Sequence, residues 1–123
     1  MPFTISANKE KGWVEVIHRG LLNIAELNEA RVQAAALLAK NSITRILVDT
    51  RQADMSELSL TDTFKFTTSH QEALGSVEGL RIASVVRSED LEASRFSETV
   101  ARNRGTDARV FLDAAEAMKW LAE

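Results

Sequence analysis

The sequence predicts an α/β domain with a mixed, mostly parallel five-stranded sheet, its elements in the order β-β-α-β-α-β-α-β-α across residues 1–123. Three observations predict it. Two stretches of alternating apolar and polar residues open the chain. Three short apolar runs follow, at Ile43–Thr50, Leu80–Val86 and Arg109–Leu112. A segment with helical apolar spacing precedes or follows each run, and strands alternating with helices require right-handed crossovers and hence parallel pairing.

Phe3–Ala7 alternates as a half-buried strand should, and Asn8–Gly12 is a polar turn ending in glycine. Trp13–Arg19 is the second alternating stretch, with Val14 and Val16 on one face and Trp13 and Ile17 on the other. The short link predicts an antiparallel hairpin. Asn23 and Glu26 have the N-cap and N3 spacing of a capping box, with asparagine in place of serine or threonine. They predict a helix to about Lys40 with a buried stripe of Ile24, Leu27, Ala34, Leu37 and Leu38. The alanines at 34–36 allow close packing on a sheet, and Asn41 and Ser42 end the helix.

Ser59 and Asp62 begin a helix by the same logic, reaching Leu74. Leu60, Phe64, Thr67, Gln71 and Leu74 share one face of it, and Phe66, His70 and Ala73 another. Gly75 and Gly79 bracket its exit. Leu80–Val86 is the fourth strand, with Ile82–Val86 expected beside Ile46–Val48. Ser88 caps the next helix, Glu89 and Asp90 complement its dipole, and Gly105 marks its stop. Arg109–Leu112 is the fifth strand, and Asp113 and Glu116 open a last helix with Ala114, Ala117, Met118 and Leu121 inward.

Composition narrows the function classes. The formal net charge of -3 offers no footprint for a nucleic acid. Cysteine is absent, which removes disulfides, thiolate metal sites and cysteine nucleophiles. His18 and His70 alone make no metal-ligand spacing, so no metal and no cofactor are expected. Met1-Pro2-Phe3-Thr4 lacks a basic segment leading into an apolar one, and no apolar run nears the ~20 residues of a membrane span. A cytoplasmic protein is expected. Pro2 is the only proline and no linker interrupts the chain, so one domain over 1–123 is expected.

Catalytic constellations are missing. No acidic pair follows an early strand, as a phosphoacceptor receiver would need for magnesium. Gly20 stands alone after its strand, without a Gly-rich phosphate loop. A hydrolase would have to use Ser56 or Ser59 with His70, but there is no G-x-S-x-G elbow. His70 lies about 16 Å along the helix from Ser59, beyond hydrogen-bond reach. The expectation is a protein that is not an enzyme.

Binding features remain. Asp49, Thr50 and Arg51 follow the third strand, Arg87 and Ser88 the fourth, and Asp113 the fifth, so they should meet on one rim of the sheet, where ligands bind in such folds. Arg51 and Arg87 could hold an anion there beside the helix start at Ser88, or serve as solvated rim charge. Arg95, Glu98 and Arg102 form an alternating ladder on one helix face, with Arg104 and Arg109 nearby. That face is either solvated or set against an anionic partner or a membrane surface. Phe64 and Phe66 point in nearly opposite directions; Phe64 continues the core stripe with Leu60, which leaves Phe66 facing a second apolar environment. Met55 and Leu58 could line the same place, as a pocket or an interface. His70 reads as a partly exposed helix residue paired locally, and His18 as a strand residue rather than a ligand.

Three stretches together resemble the SpoIIAA-like group of STAS domains, the anti-sigma-factor-antagonist fold, whose topology is similar to the CRAL-TRIO lipid-binding fold. They are Arg45–Thr50 followed by Met55–Leu60, Gly79–Val86, and Val110-Phe111 with Glu116–Leu121. The resemblance covers nearly the whole chain. In antagonists of this fold a serine in a Met-Asp-Ser-Ser-Gly-Leu loop is phosphorylated. Here Met55-Ser56-Glu57-Leu58-Ser59-Leu60 stands in that register, so Glu57 and Leu58 replace the two serines and neither accepts phosphate. Ser56 and Ser59 are the hydroxyls left as phosphorylation candidates. Glu57 carries one negative charge where phosphate carries nearly two.

The resemblance implies a non-catalytic regulatory or ligand-binding module acting on a protein partner or a small apolar or anionic ligand. Its working surface would comprise Arg51, Met55, Ser56, Leu58, Ser59, Phe64, Phe66, His70 and Arg87. The alternatives are a small lipid or fatty-acid binding protein with peripheral membrane contact, and a small hydrolase using Ser59. A homodimer is expected, since a 13.6 kDa domain has few ways to hide an outward phenylalanine.

Overall fold

The structure is a computed structural model that describes residues 3–74 and 77–123. Gly75, assigned above to a helix exit, lies outside the described residues. The first two strands, β1 (Phe3–Asn8) and β2 (Trp13–Leu21), pair antiparallel. Their link closes through Gly12, whose φ of 85° is open to glycine and whose N–H donates to Asn8 O at 2.8 Å. β3 (Arg45–Asp54), β4 (Arg81–Val85) and β5 (Asp107–Phe111) then add in parallel, giving one five-stranded sheet in the order β1-β2-β3-β4-β5. Ile46 lies opposite Ile82, the neighbour relation expected of the two central apolar runs.

Helices cover both faces. On one face, α1 (Ile24–Asn41), α2 (Leu60–Thr68), α3 (His70–Leu74) and α4 (Leu91–Asn103) lie over Val14, Val16, Ile46 and Ile82. On the other, α5 (Ala114–Ala122) packs Ala117, Trp120 and Leu121 on Trp13, Leu47, Ala83 and Val85. Period-two alternation of each strand supplies both sets. Three arginines finish α5. Arg45 Nε donates to Leu121 O and Arg81 Nη1 to Trp120 O, while Arg81 and Arg109 stack on the Trp120 ring, each 5.2 Å from its centroid.

Several expectations need correction. β3 does not end at Thr50. It runs to Asp54 because β2 continues beside it, with Arg19 opposite Gln52 and Leu21 opposite Asp54. The capping box at Asn23 is half formed. Asn23 Oδ1 accepts the Glu26 N–H at 2.9 Å, but the Glu26 side chain turns into the protein. The buried stripe of α1 is Glu26, Ala30, Ala34 and Leu38, while Ile24, Leu27 and Leu37 are half-buried. The helix from Ser59 breaks at Ser69 into α2 and α3. Phe64 is 41% exposed, so it does not continue the core stripe with Leu60, which is itself exposed; Phe66 lies on an apolar cavity wall with Met55 and Leu58. Ser88 caps nothing with its side chain. It opens a single 3-10 turn, Ser88–Asp90, ahead of α4. Met118 faces outward on α5 rather than inward. Glu98 leaves the proposed ladder with Arg95 and Arg102 and accepts the Val110 N–H at 2.6 Å.

Candidate functional site

A cavity of about 180 Å³ lies between the sheet and the layer formed by α1, α2 and α4, under the roof made by α2. Its walls are mostly apolar: Val16, Ile46, Val48 and Ile82 from the sheet, Ala30 and Ala34 from α1. The small residues of α1 let its backbone approach the strands, and the larger Met55, Leu58 and Phe66 close the far side. The sheet wall runs from Ile46, Ile82 and Ala108, near the amino ends of β3, β4 and β5, to His18, Thr50 and Val86 toward the carboxyl ends of their strands.

Arg31 fastens the roof. It lies on α1, and its Nη1 donates to Phe66 O at 2.6 Å while Nη2 donates to Ser69 Oγ at 3.0 Å. Its guanidinium also stacks over the Phe66 ring at 4.1 Å. These contacts hold the carbonyl end of α2 and explain the break at Ser69, whose own hydroxyl donates to the same Phe66 carbonyl at 2.9 Å. Burial draws the Arg31 pKa below its ordinary value, partly countered by Glu72. His70, first residue of α3, sits edge-on to Phe66 and within 3.2 Å of Arg31 Nη1. Burial, and then the neighbouring Arg31 charge, push its pKa down to about 4, so the ring is neutral and accepts from the guanidinium at Nδ1.

A second polar group lies in the sheet wall. His18 continues the inward side of β2 after Val14 and Val16, and its Nδ1 is 2.7 Å from Glu26 Oε2. Both side chains are buried, at 2% and 5% exposure. The β2–β3 register slips at this point. Ile17 opposes Asp49 and Arg19 opposes Gln52, so β3 carries one extra residue across from His18. Thr50, within that slip, is buried and its Oγ1 donates to Val85 O at 3.4 Å.

Of the residues expected at the working surface, the structure gathers Met55, Leu58, Phe66 and His70 on the cavity wall. It leaves Arg51, Ser56, Ser59, Phe64 and Arg87 off it. Arg51 lies on the α5 side, clamped on Asp49 through Nε–Oδ1 at 3.1 Å and Nη2–Oδ2 at 2.8 Å. Burial alone would raise the Asp49 pKa, but the Arg51 hydrogen bonds and charge outweigh it and hold the carboxyl low. Arg87 donates to Asp90 at 3.0 Å, which raises the arginine further. Both guanidiniums therefore already have carboxylate partners, and the expected shared anion site on the rim is not assembled. Ser56 is exposed, its N–H held by Asp54 Oδ1 at 2.9 Å. Ser59 Oγ caps α2 by accepting the Asp62 N–H at 3.0 Å.

His18, Glu26 and Arg31 were missed as site residues. For His18 and Glu26 the signals were present. Val14 and Val16 extend by alternation to His18, and Leu38, Ala34 and Ala30 extend by steps of four to Glu26. Apart from the contact of Nη2 with Asn28 Oδ1 one turn back, the partners of Arg31 lie 35 and more residues away, so no local pattern marks it.

Among the described residues no group of three or more metal-ligating side chains gathers, and no helix is long and apolar enough to cross a membrane. The fold is similar to that of an uncharacterised protein of the DUF3478 family with a SpoIIAA-like fold from Shewanella loihica PV-4. The TM-score is 0.55 and the identity 20%, over 97% of this chain and 91% of that one. No protein-family model and no curated protein matches the sequence. The likeness shows the SpoIIAA-like fold that the resemblance of the three stretches implied.

Proposed function

We propose that this protein is a non-catalytic binding module that takes one small, mainly apolar ligand into the cavity beneath α2. The observation that carries the reading is the cavity itself: about 180 Å³ of space walled by aliphatic side chains inside a layer that could have packed shut. An apolar void of about 150 Å³ in another protein stays dry and admits benzene, which sets the scale of the occupant at a single ring or a short branched chain. Pockets for drug-sized molecules run to roughly 300–1,000 Å³, so a long acyl chain would require the walls to move. The cavity size therefore favours a compact ligand over the fatty-acid alternative.

The arrangement of hydroxyls supports a binding role over turnover. Among the described residues no hydrogen bond joins a serine or threonine of the wall to His18 or His70. Ser59 and His70 stand beyond opposite ends of α2, and the serine oxygen is occupied as a cap. The SpoIIAA-like fold suits a regulatory role, in which a ligand in the cavity alters the surface that α2 offers to a protein partner. Phe66 turns into the cavity wall, and the outward phenylalanines available to a second copy or another protein are Phe64, beside the exposed Leu60 on α2, and Phe96 on α4.

The test is a titration of the purified protein with toluene, indole and phenol, read by amide chemical shifts and by thermal unfolding. One-to-one saturable binding is expected, with shifts centred on residues 46–67 and 82–86. Saturation at 100 times Kd should add about 2.7 kcal/mol, a rise of several degrees in Tm. Unmoved spectra with all three compounds at millimolar concentration would defeat the proposal.

A further inference from the structure

We propose that His18 Nε2 is the polar anchor of the cavity, and that the ligand it selects carries a single neutral hydroxyl on an apolar body. This rests on the reading of the cavity as a ligand site and specifies which ligands it prefers.

The argument begins with the pair inside the wall. Glu26 Oε2 lies 2.7 Å from His18 Nδ1; in the tautomer that donates Nδ1–H to the carboxylate, Nε2 is left as the acceptor of the ring. A carboxylate behind the ring fixes its orientation and makes the far nitrogen more basic, as it does for histidines that hold metals or substrates. Nε2 forms no hydrogen bond with any described residue. Yet among the described residues no side-chain nitrogen or oxygen is both sealed away and without a partner. Nε2 therefore keeps contact with open space. For a residue 2% exposed on the cavity wall, that space is the cavity.

Each of the other ionisable groups on the wall has at least one partner, Arg109 by stacking on Trp120 and His70 at Nδ1 alone, and of these rings and heads His18 is the most deeply buried. Glu98 accepts the Val110 N–H, Arg31 is spent on Phe66 O and Ser69, and the His70 Nδ1 takes up Arg31. The slip in β3 opposite His18 is a second and independent sign. Such irregularities bend a strand and re-aim its side chains, and they concentrate next to binding sites.

The chemistry then selects the head group. An acceptor nitrogen backed by a buried carboxylate repels an anionic head. An ammonium would have to lose its hydration inside aliphatic walls, at heavy cost. A neutral O–H donor fits both demands. A site built to hydrogen-bond a hydroxyl also discriminates against the isostere that lacks it, because that isostere leaves the buried acceptor unpaired.

Phenol and toluene differ by one such exchange and are the probes. Wild-type protein should bind phenol about tenfold more tightly than toluene, a preference opposite to their relative ease of leaving water. In imidazole-labelled wild-type protein the Nε2 resonance of His18 should move with phenol and stay still with toluene. The double substitution His18→Leu with Glu26→Leu, which leaves no unpaired charge, should bring the phenol-to-toluene ratio to about one or lower. Equal binding of the two probes by wild type, an unmoved Nε2 resonance, or a ratio that survives the double substitution would overturn the anchor while leaving the cavity reading intact. Failure of both probes to bind would remove the cavity reading and the anchor with it.

Discussion

Leucine at position 26 would leave the His18 imidazole buried with its Nδ1–H unpaired, and leucine at position 18 would leave a buried Glu26 carboxylate without its donor. The pair is short, at 2.7 Å, and its side chains are 2% and 5% exposed, so neither remaining group can reach bulk water without moving its strand or helix. Breaking a buried pair from one side costs about 3–5 kcal/mol, whereas replacing both members with apolar residues of similar volume is close to neutral. Glu26 lies in the first turn of α1, where the helix dipole favours its charge and a short movement reaches solvent, which places each single change near the low end, about 3 kcal/mol. The double variant should lie within about 1 kcal/mol of wild type, giving a coupling of about 5–7 kcal/mol between the two positions. Urea unfolding of the four proteins, followed by far-UV circular dichroism with the slope checked for constancy, measures the cycle. A double variant as unstable as the two singles combined would refute the idea that each residue is stable there only because of the other.

His70 supplies a pH signature. Its folded-state value of about 4 lies below the ordinary 6.5, so as pH falls the unfolded chain takes up the proton first; stability from this group is complete above pH 6.5 and is lost as pH falls through 4. The full loss is about 3 kcal/mol, and stability curves for His70→Gln should be flatter than wild type across that window. The inward Phe66 and the exposed Phe64 predict that Phe66→Ala costs about 2–4 kcal/mol and Phe64→Ala less than about 1, measured by the same urea melts. The two helix starts make an internal contrast. Asp113→Ala should cost about 1 kcal/mol because Asp113 Oδ1 accepts the Ala115 N–H, and Ser88→Ala should leave stability unchanged within about 0.5 kcal/mol.

The fold was legible where the governing forces are local. Asn23 and Ser59 each cap a helix with the side-chain bond their spacing announces, Asp113 caps one a residue earlier at Ala115, and the alternation at Trp13–Arg19 puts Val14 and Val16 together as read. It was illegible where a distant partner decides. Arg51, Gln52 and Asp54 are poor strand formers, yet they extend β3 because β2 provides a ladder for them. The helix from Ser59 breaks because Arg31, far away in sequence, captures the Phe66 carbonyl; that break helps turn Phe66 in and leave Phe64 out. Of the loop at Met55–Ser59, Met55 and Leu58 line the cavity, while Ser56 and Ser59 stand off it. The polar anchor proposed in its wall came instead from strand β2 and helix α1, a combination no short motif spells out.

Both indoles, Trp13 and Trp120, belong to the layer beneath α5, and the chain has no tyrosine. The molecule is therefore optically one-sided. Its near-ultraviolet emission watches the α5 layer, while the helices over the opposite face are built around phenylalanine and histidine and stay dark. An event confined to those helices would pass unseen by intrinsic fluorescence, and a new tryptophan placed among them would give the silent half its own reporter.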